Sequence, residues 1–236
     1  MIGRVHIVFR CMLIVVVFIF ICIPIVHAQA KQYTQIVDSI SAAYKNMHQY
    51  HMHVQTKVTV SGEQIASQIY DIYKQRENIY LSSKGMEVLY NSSMVLMVLK
   101  DQKQMVVRPV TTHELESIRK FEAPVIDSIN KSRVFKDFYE SENGYEFTVY
   151  AAKGQIVQTT YCYDKQSYLL TRVNISYADT DDSKNQRSVI LYSYLPLSLS
   201  SNYFNSEKYL TKTKSGYAAT AAYSNYFINN TSTYEK

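Results

Sequence analysis

The sequence predicts a mainly β (α+β) fold, a curved, unclosed antiparallel β half-barrel covered by an N-terminal helix and a short helical lid. Three observations predict it. From Met52 to Val60 the apolar residues Met52, Val54, Val58 and Val60 alternate with His53, Gln55, Lys57 and Thr59, the period of two of a strand with one wet and one dry face. The chain has six glycines, and Gly62, Gly85, Gly144, Gly154 and Gly216 each fall where the hydrophobic pattern reverses, which marks them as turns. It also has 22 tyrosines and no tryptophan, and most of those tyrosines lie in strand-like runs where their rings suit cross-strand pairing.

Residues 1–30 read as a signal peptide outside the fold. Arg4 and Arg10 form a basic head, Met12 to Ile25 an apolar core, and Val26-His27-Ala28 or Ala28-Gln29-Ala30 a small-residue cleavage site. The competing reading is a retained membrane anchor, since the apolar run approaches the length of a span. Lipidation at Cys22 is disfavoured because Phe20-Ile21 before it lack the small residues a lipobox needs. Cleavage leaves residues 31–228 as a single domain and 229–236 as a loose tail. Arg4 and Arg10 leave with the signal, so 25 basic residues fall to 23 against 20 acidic ones, a net charge of +3. That balance is too mild to indicate a nucleic-acid partner. Only Cys162 remains after cleavage, so the exported domain has no internal disulfide and is held by burial and sheet hydrogen bonds.

Tyr33 to Gln49 places Ile36, Ile40, Ala43, Tyr44 and Met47 on one helical face, directly before the first strand. Ser61-Gly62 turns that strand into Gln64–Lys74, and Arg76–Ser83, Met86–Tyr90, Met94–Leu99 and Met105–Arg108 continue the meander. Met94 to Leu99 is apolar at every position and is expected to be covered on both faces. Pro109 stops the meander. Thr111 with Glu114 forms a capping-box pattern, and the amphipathic stretches to Asn130, with Leu115, Ile118, Ile126 and Ile129 as anchors, form either a lid or a plain crossover. Val134 to Tyr139 is extended or a short helix. The hairpin pattern then resumes in Tyr145–Ala151, Gln155–Asp164, Tyr168–Tyr177 and Arg187–Leu195. Pro196 to Ser206 reads as a loop, and Lys208–Lys214 with Tyr217–Ile228 as one last hairpin around Ser215-Gly216.

Nothing in the chain spells a catalytic centre. There is no Gly-rich phosphate loop, nucleophile elbow or His-Glu-x-x-His motif, and neither Glu114 with Glu116 nor Glu140 with Glu142 is placed as an acid–base pair. His48, His51 and His53 lack a visible third ligand, so they read as solvent-facing residues and no metal is expected. Cys162, at an alternate position between Tyr161 and Tyr163, reads as a small buried hydrophobe. No cofactor is expected, and a binding role is preferred to an enzymatic one.

The order of parts resembles the LolA and LolB superfamily of periplasmic lipoprotein carriers. The resemblance rests on the helix running straight into the first long strand (Tyr33 to Val60) and on the strand–basic turn–strand run Gln68-Ile-Tyr-Asp-Ile-Tyr-Lys-Gln-Arg-Glu-Asn-Ile-Tyr-Leu81. It extends to the hairpin with Lys100-Asp101-Gln102-Lys103-Gln104-Met105-Val106, the helical interruption from Thr112 to Asn130 and the strands from Tyr145 to Tyr177. Lys208 to Ile228 lies beyond the family's usual end. The resemblance implies a non-enzymatic carrier or binder of lipid or lipoprotein acyl chains, or of another apolar ligand, in the periplasm of a Gram-negative-type envelope, with transient contact at a membrane surface; it does not imply a role in lipoprotein sorting. The expected apolar cavity is lined by Met52, Val54, Val58, Ile69, Tyr73, Leu89, Met94, Leu96 and Val98, under the lid of Leu115, Ile118, Ile126 and Ile129. The alternative is an envelope module that binds a protein or glycan partner through its tyrosine-rich sheet.

Overall fold

The computed structural model describes residues 33–114, 136–151, 154–180, 184–196, 201–214 and 216–230. The chain divides into two units, Met1–Ala42 and Ala43–Lys236. In the first, residues 33–42 are helical, and Ile36, Val37 and Ile40 are buried at the spacing of one helical face. The helix ends in the second unit at residue 46, short of the expected Gln49. Among the described residues no helix is long and apolar enough to cross a membrane.

The second unit consists of β1 (Gln49–Val60), β2 (Glu63–Gln75), β3 (Asn78–Ser82), β4 (Met86–Tyr90), β5 (Met94–Leu99), β6 (Gln104–Pro109), β7 (Lys136–Glu140), β8 (Gly144–Tyr150), β9 (Ile156–Asp164), β10 (Leu170–Tyr177), β11 (Arg187–Leu195), β12 (Leu210–Thr213), β13 (Gly216–Ala219) and β14 (Phe227–Asn230). Twelve of these form one curved sheet in the order β14-β6-β5-β4-β3-β2-β1-β11-β10-β9-β8-β7, while β12 and β13 pair only with each other. The large sheet has two edges, β14 and β7, and does not close into a barrel. Its seam is β1 against β11, antiparallel from His51–Leu195 to Thr59–Arg187.

Local chemistry sets the turns. Ser61 and Gly62 both adopt positive φ, +52° and +89°, as a two-residue hairpin requires. The turn after β9 is held by the Asp164 carboxylate, which accepts from the Ser167 amide at 2.7 Å and the Gln166 amide at 3.1 Å. Gly144 answers a different need. A Cβ there would lie 2.2 Å from the Tyr163 carbonyl oxygen, so only glycine lets β8 lie this close to β9.

The residues after β11 depart from the sequence reading. Where a loop was expected, 3-10 turns occur at Ser201–Phe204 and Ser206–Lys208. The last hairpin is shorter than expected: β13 ends at Ala219, a 3-10 turn follows at Ala221–Tyr223, and β14 then pairs in parallel with β6, Ile228 opposite Met105. Asn229 and Asn230, expected in the loose tail, are therefore part of the main sheet, because the outer edge of β6 offers them hydrogen-bonding partners. The stretch from Val134, read as extended or helical, contributes the edge strand β7.

Between β11 and β14, residues 203–214 and 216–226 supply side chains that cover one face of β3–β6. Tyr209 and Leu210 join Leu89, Met94, Leu96, Val98, Met105 and Val107 in a dry cluster, with Phe204, Tyr217, Tyr223, Tyr226 and Ile228 around it. A polar latch secures this cover. The Tyr209 hydroxyl donates to the buried Glu87 carboxylate, which also takes Lys100 Nζ at 2.8 Å. Burial pushes the Glu87 carboxyl up, but hydrogen bonds from Lys100 and Tyr209 and the nearby Lys208 charge outweigh it and leave the group below the usual carboxylate value.

At the end of β6 the capping box forms as read. The Glu114 amide donates to Thr111 Oγ1 at 3.3 Å, and the Thr111 amide donates back to Glu114 Oε2 at 3.0 Å. Arg108 grips the same carboxylate with both terminal nitrogens. Residues 112–114 are helical, and the predicted lid residues Leu115, Ile118, Ile126 and Ile129 lie outside the described residues.

Candidate functional site

Strand register decides which predicted cavity residues share a face, because directly paired residues project to the same side. Met52 pairs with Ile72 and Tyr194, Val54 with Tyr70 and Tyr192, and Val58 with Ala66 and Ser188. Tyr73, by contrast, pairs with His51 and Tyr80, and the row continues through Leu89, Leu96 and Val107. Ile69, Met94 and Val98 belong to that second side. The nine residues therefore divide three and six between opposite faces. Leu89, Met94, Leu96 and Val98 are already packed under Tyr209 and Leu210, whereas Ile69 is 48% exposed. Alternation within each strand was visible in the sequence, but the pairing that sorts strands onto faces was not.

The face of Met52 and Val54 carries a tyrosine cluster. Tyr44, in the last helical turn, accepts from the Leu170 amide at 2.9 Å and shares a 3.0 Å hydrogen bond with the Tyr194 hydroxyl. Burial, then Tyr44 and Tyr161, pushes Tyr192 up to about 12, and burial raises Tyr194 further still. Tyr163 is only 2% exposed, packs edge-on against Phe147 at 5.7 Å, and its hydroxyl is buried without a hydrogen-bond partner among the described residues. Burial raises its pKa, followed by Tyr44, Tyr161 and Tyr192, so these four rings share one neighbourhood. All of these hydroxyls stay protonated and neutral.

On the opposite face of β8–β10 lies an open groove of about 320 Å³, lined in part by Asn143, Glu146, Cys162, Thr171, Arg172 and Leu191. Arg172 Nη2 reaches Cys162 Sγ at 3.5 Å and Glu146 Oε1 at 3.4 Å. Burial pushes the Cys162 thiol up and outweighs the adjacent guanidinium, so it stays protonated and unsuited to nucleophilic attack.

The histidines differ from their solvent-facing expectation. His51 Nε2 and His53 Nδ1 lie 3.0 and 3.2 Å from the same oxygen of Asp71, which the β1–β2 register brings opposite His53. His51 also stacks on Tyr73 at 4.1 Å, and Tyr73 stacks on Tyr203 at 4.2 Å. Asp71 is 18 residues from His53 in sequence, so only the register reveals the contact. Among the described residues no group of three or more His, Cys, Asp or Glu side chains could hold a metal ion.

These observations define an open, curved, mainly antiparallel sheet with a tyrosine cluster on one side and an opposite side that is covered across β3–β6 and open across β8–β10. No known protein-family profile matches the sequence, and no curated protein matches it. Among solved structures, the chain is similar to an uncharacterized conserved protein from Thermus thermophilus, at 9% identity and a TM-score of 0.40, covering 71% of this chain and 90% of that one. It is also similar to a LolA superfamily protein from Nitrosomonas europaea, at 7% identity and a TM-score of 0.35, covering 74% of this chain and 97% of that one. A putative outer membrane lipoprotein-sorting protein domain from Vibrio parahaemolyticus gives 10% identity and a TM-score of 0.33, covering 73% and 96%.

Proposed function

We propose that this chain is an exported, non-enzymatic binder of an amphipathic, acyl-bearing ligand, acting in the periplasm as one domain after loss of residues 1–30. The observation that carries the reading is the Tyr163 hydroxyl, buried without a partner among the described residues on the face that also bears Met52, Val54 and the other tyrosines. An unsatisfied buried hydroxyl is worth roughly 1–3 kcal/mol to whatever group pairs with it. A guest with a polar head and an apolar body suits that surface on both counts. Met52, Val54 and Tyr163 are buried, so a guest reaches them by displacing what covers them; its body then loses water-exposed area at roughly 25 cal/mol per Å² and its head meets Tyr163. The flexible methionine side chain adapts to guests of varied outline, and a tyrosine offers an apolar ring with a polar tip.

Organic extraction of the purified protein followed by mass spectrometry tests this. A co-purifying lipid in near-stoichiometric amount is the expected result. An extract free of lipid, together with no saturable binding of a fluorescent fatty acid, overturns it. Tyr163→Phe should weaken that binding several-fold without loss of fold.

A second reading, an envelope protein-binding module, is favoured by the exposed Tyr139, Tyr150, Ile156 and Leu195, which alternation puts on the side of Cys162. Large apolar groups sharing one face are the kind of patch that marks interaction sites. A photo-crosslinker at Tyr139 should then capture one defined envelope protein in vivo; if it captures none, this reading fails.

A further inference from the structure

β2 is 13 residues long but β3 covers only its second half, from Asp71 to Gln75. From Glu63 to Tyr70 it is hydrogen-bonded to β1 alone, and among the described residues no strand lies along its other edge. Residues 61–69 are all exposed, Ile65 at 63% and Ile69 at 48%. Edges of this kind are ordinarily guarded by lysine, proline or a bulge. Here Gln64-Ile65-Ala66-Ser67-Gln68-Ile69-Tyr70 contains neither a charge nor a proline. The register slip between Val58 and Thr59 leaves Ile65 as the extra residue at the tip, and the ladder from Ala66 to Tyr70 is regular.

We propose that this edge is a self-association site, at which β2 of a second copy of this chain adds in antiparallel fashion about a two-fold axis at Ser67. The pattern matches itself under that operation. Ser67 meets Ser67 of the second copy, Ala66 meets Gln68, and Ile65 meets Ile69 on one face, twice. Residues 64–70 carry no charge, so the paired segment opposes no like charges; just beyond it Glu63 comes level with Asp71 of the second copy, whose carboxylate lies against His51 and His53, and the main-chain groups without partners among the described residues along this edge gain them. The two open sheets then run on as one continuous sheet through the pair.

The purified protein tests this in two measurements. In analytical ultracentrifugation the chain should show a reversible monomer–dimer equilibrium at micromolar concentration, and Ile69→Lys should shift its dissociation constant up by at least about tenfold, since a lysine on an edge opposes pairing. In a Ser67→Cys variant, mild oxidation should give a covalent dimer through residue 67, because the axis sets the two copies of that position side by side; Cys162 is buried and does not compete. Thr213→Cys, on the separate two-stranded sheet, should give none. A monomer across the accessible concentration range, or a dimer indifferent to Ile69→Lys and uncrosslinked at residue 67, overturns the proposal. Folding of both variants is verified by their far-UV circular dichroism. If Ile69→Lys fails to fold, the crosslink at residue 67 alone decides.

Discussion

Two regions on one side of the same sheet have opposite fates. Across β3–β6 this side is sealed: Leu89, Leu96, Val98 and Met105 are essentially inaccessible beneath Tyr209 and Leu210. Across β8–β10 the same side carries Glu146, Thr148, Cys162 and Arg172 and holds an open groove. Backbone geometry is common to both, so side-chain composition makes the difference. A strand that is apolar at each of six positions, as Met94–Leu99 is, needs cover on both faces, and the residues after β11 supply it on one. A strand that alternates tyrosine or phenylalanine with threonine, glutamate or cysteine needs cover on one side only and tolerates water on the other.

Substitutions can break this contrast in graded steps. Leu96→Asp, at a site with no solvent exposure, should be the most severe, with a loss of about 4 kcal/mol or more in urea unfolding, because it buries an unpaired carboxylate under the cover. Tyr209→Phe should cost about 2 kcal/mol by the same assay, since it removes the charge-assisted hydrogen bond to Glu87 while keeping the ring. A smaller effect is expected from acid. The Arg108 hydrogen bonds, against the opposing effect of burial and with help from Thr111, hold the Glu114 carboxyl at about 2, below the usual 4.5. Its contribution is complete above pH 4.5 and is lost as pH falls toward 2. After solvent screening this is about 1 kcal/mol, to be read as a difference between wild type and Glu114→Gln in unfolding experiments stepped from about pH 5 to about 2.5. In the open region, Arg172→Leu should change stability by no more than about 0.5 kcal/mol, because its ion pair with Glu146 is largely exposed; a larger loss would mean that the groove is structural.

Much of the fold was legible from local pattern. The alternation in β1, the Ser61-Gly62 turn, the meander to Pro109 and the Thr111–Glu114 capping box each depend on neighbours within a few residues, and each occurs as read. What escaped depends on distant pairing. Ile69 and Tyr73 fall on the other side from Met52 because of the β1–β2 register, and a strand that is apolar at every position, like β5, conceals which of its residues face which layer. Asp71 reaches His51 and His53 only through that register. The placement of Asn229 and Asn230 against β6 joins parts of the chain more than a hundred residues apart, where no local signal operates. The Tyr163 hydroxyl, without a partner among the described residues, likewise arises from packing.

The β1–β11 seam has a kinetic consequence. Each flank of the sheet, β1–β6 on one side and β7–β11 on the other, is a run of neighbouring hairpins that can zip up from its own turns. Their union brings His51 to Leu195 and closes a loop of well over a hundred residues before any contact rewards it. Refolding should therefore show two early meanders and a late, rate-limiting junction, and weakening that junction at Val54 or Tyr192 should slow assembly more than an equally destabilising change within either meander.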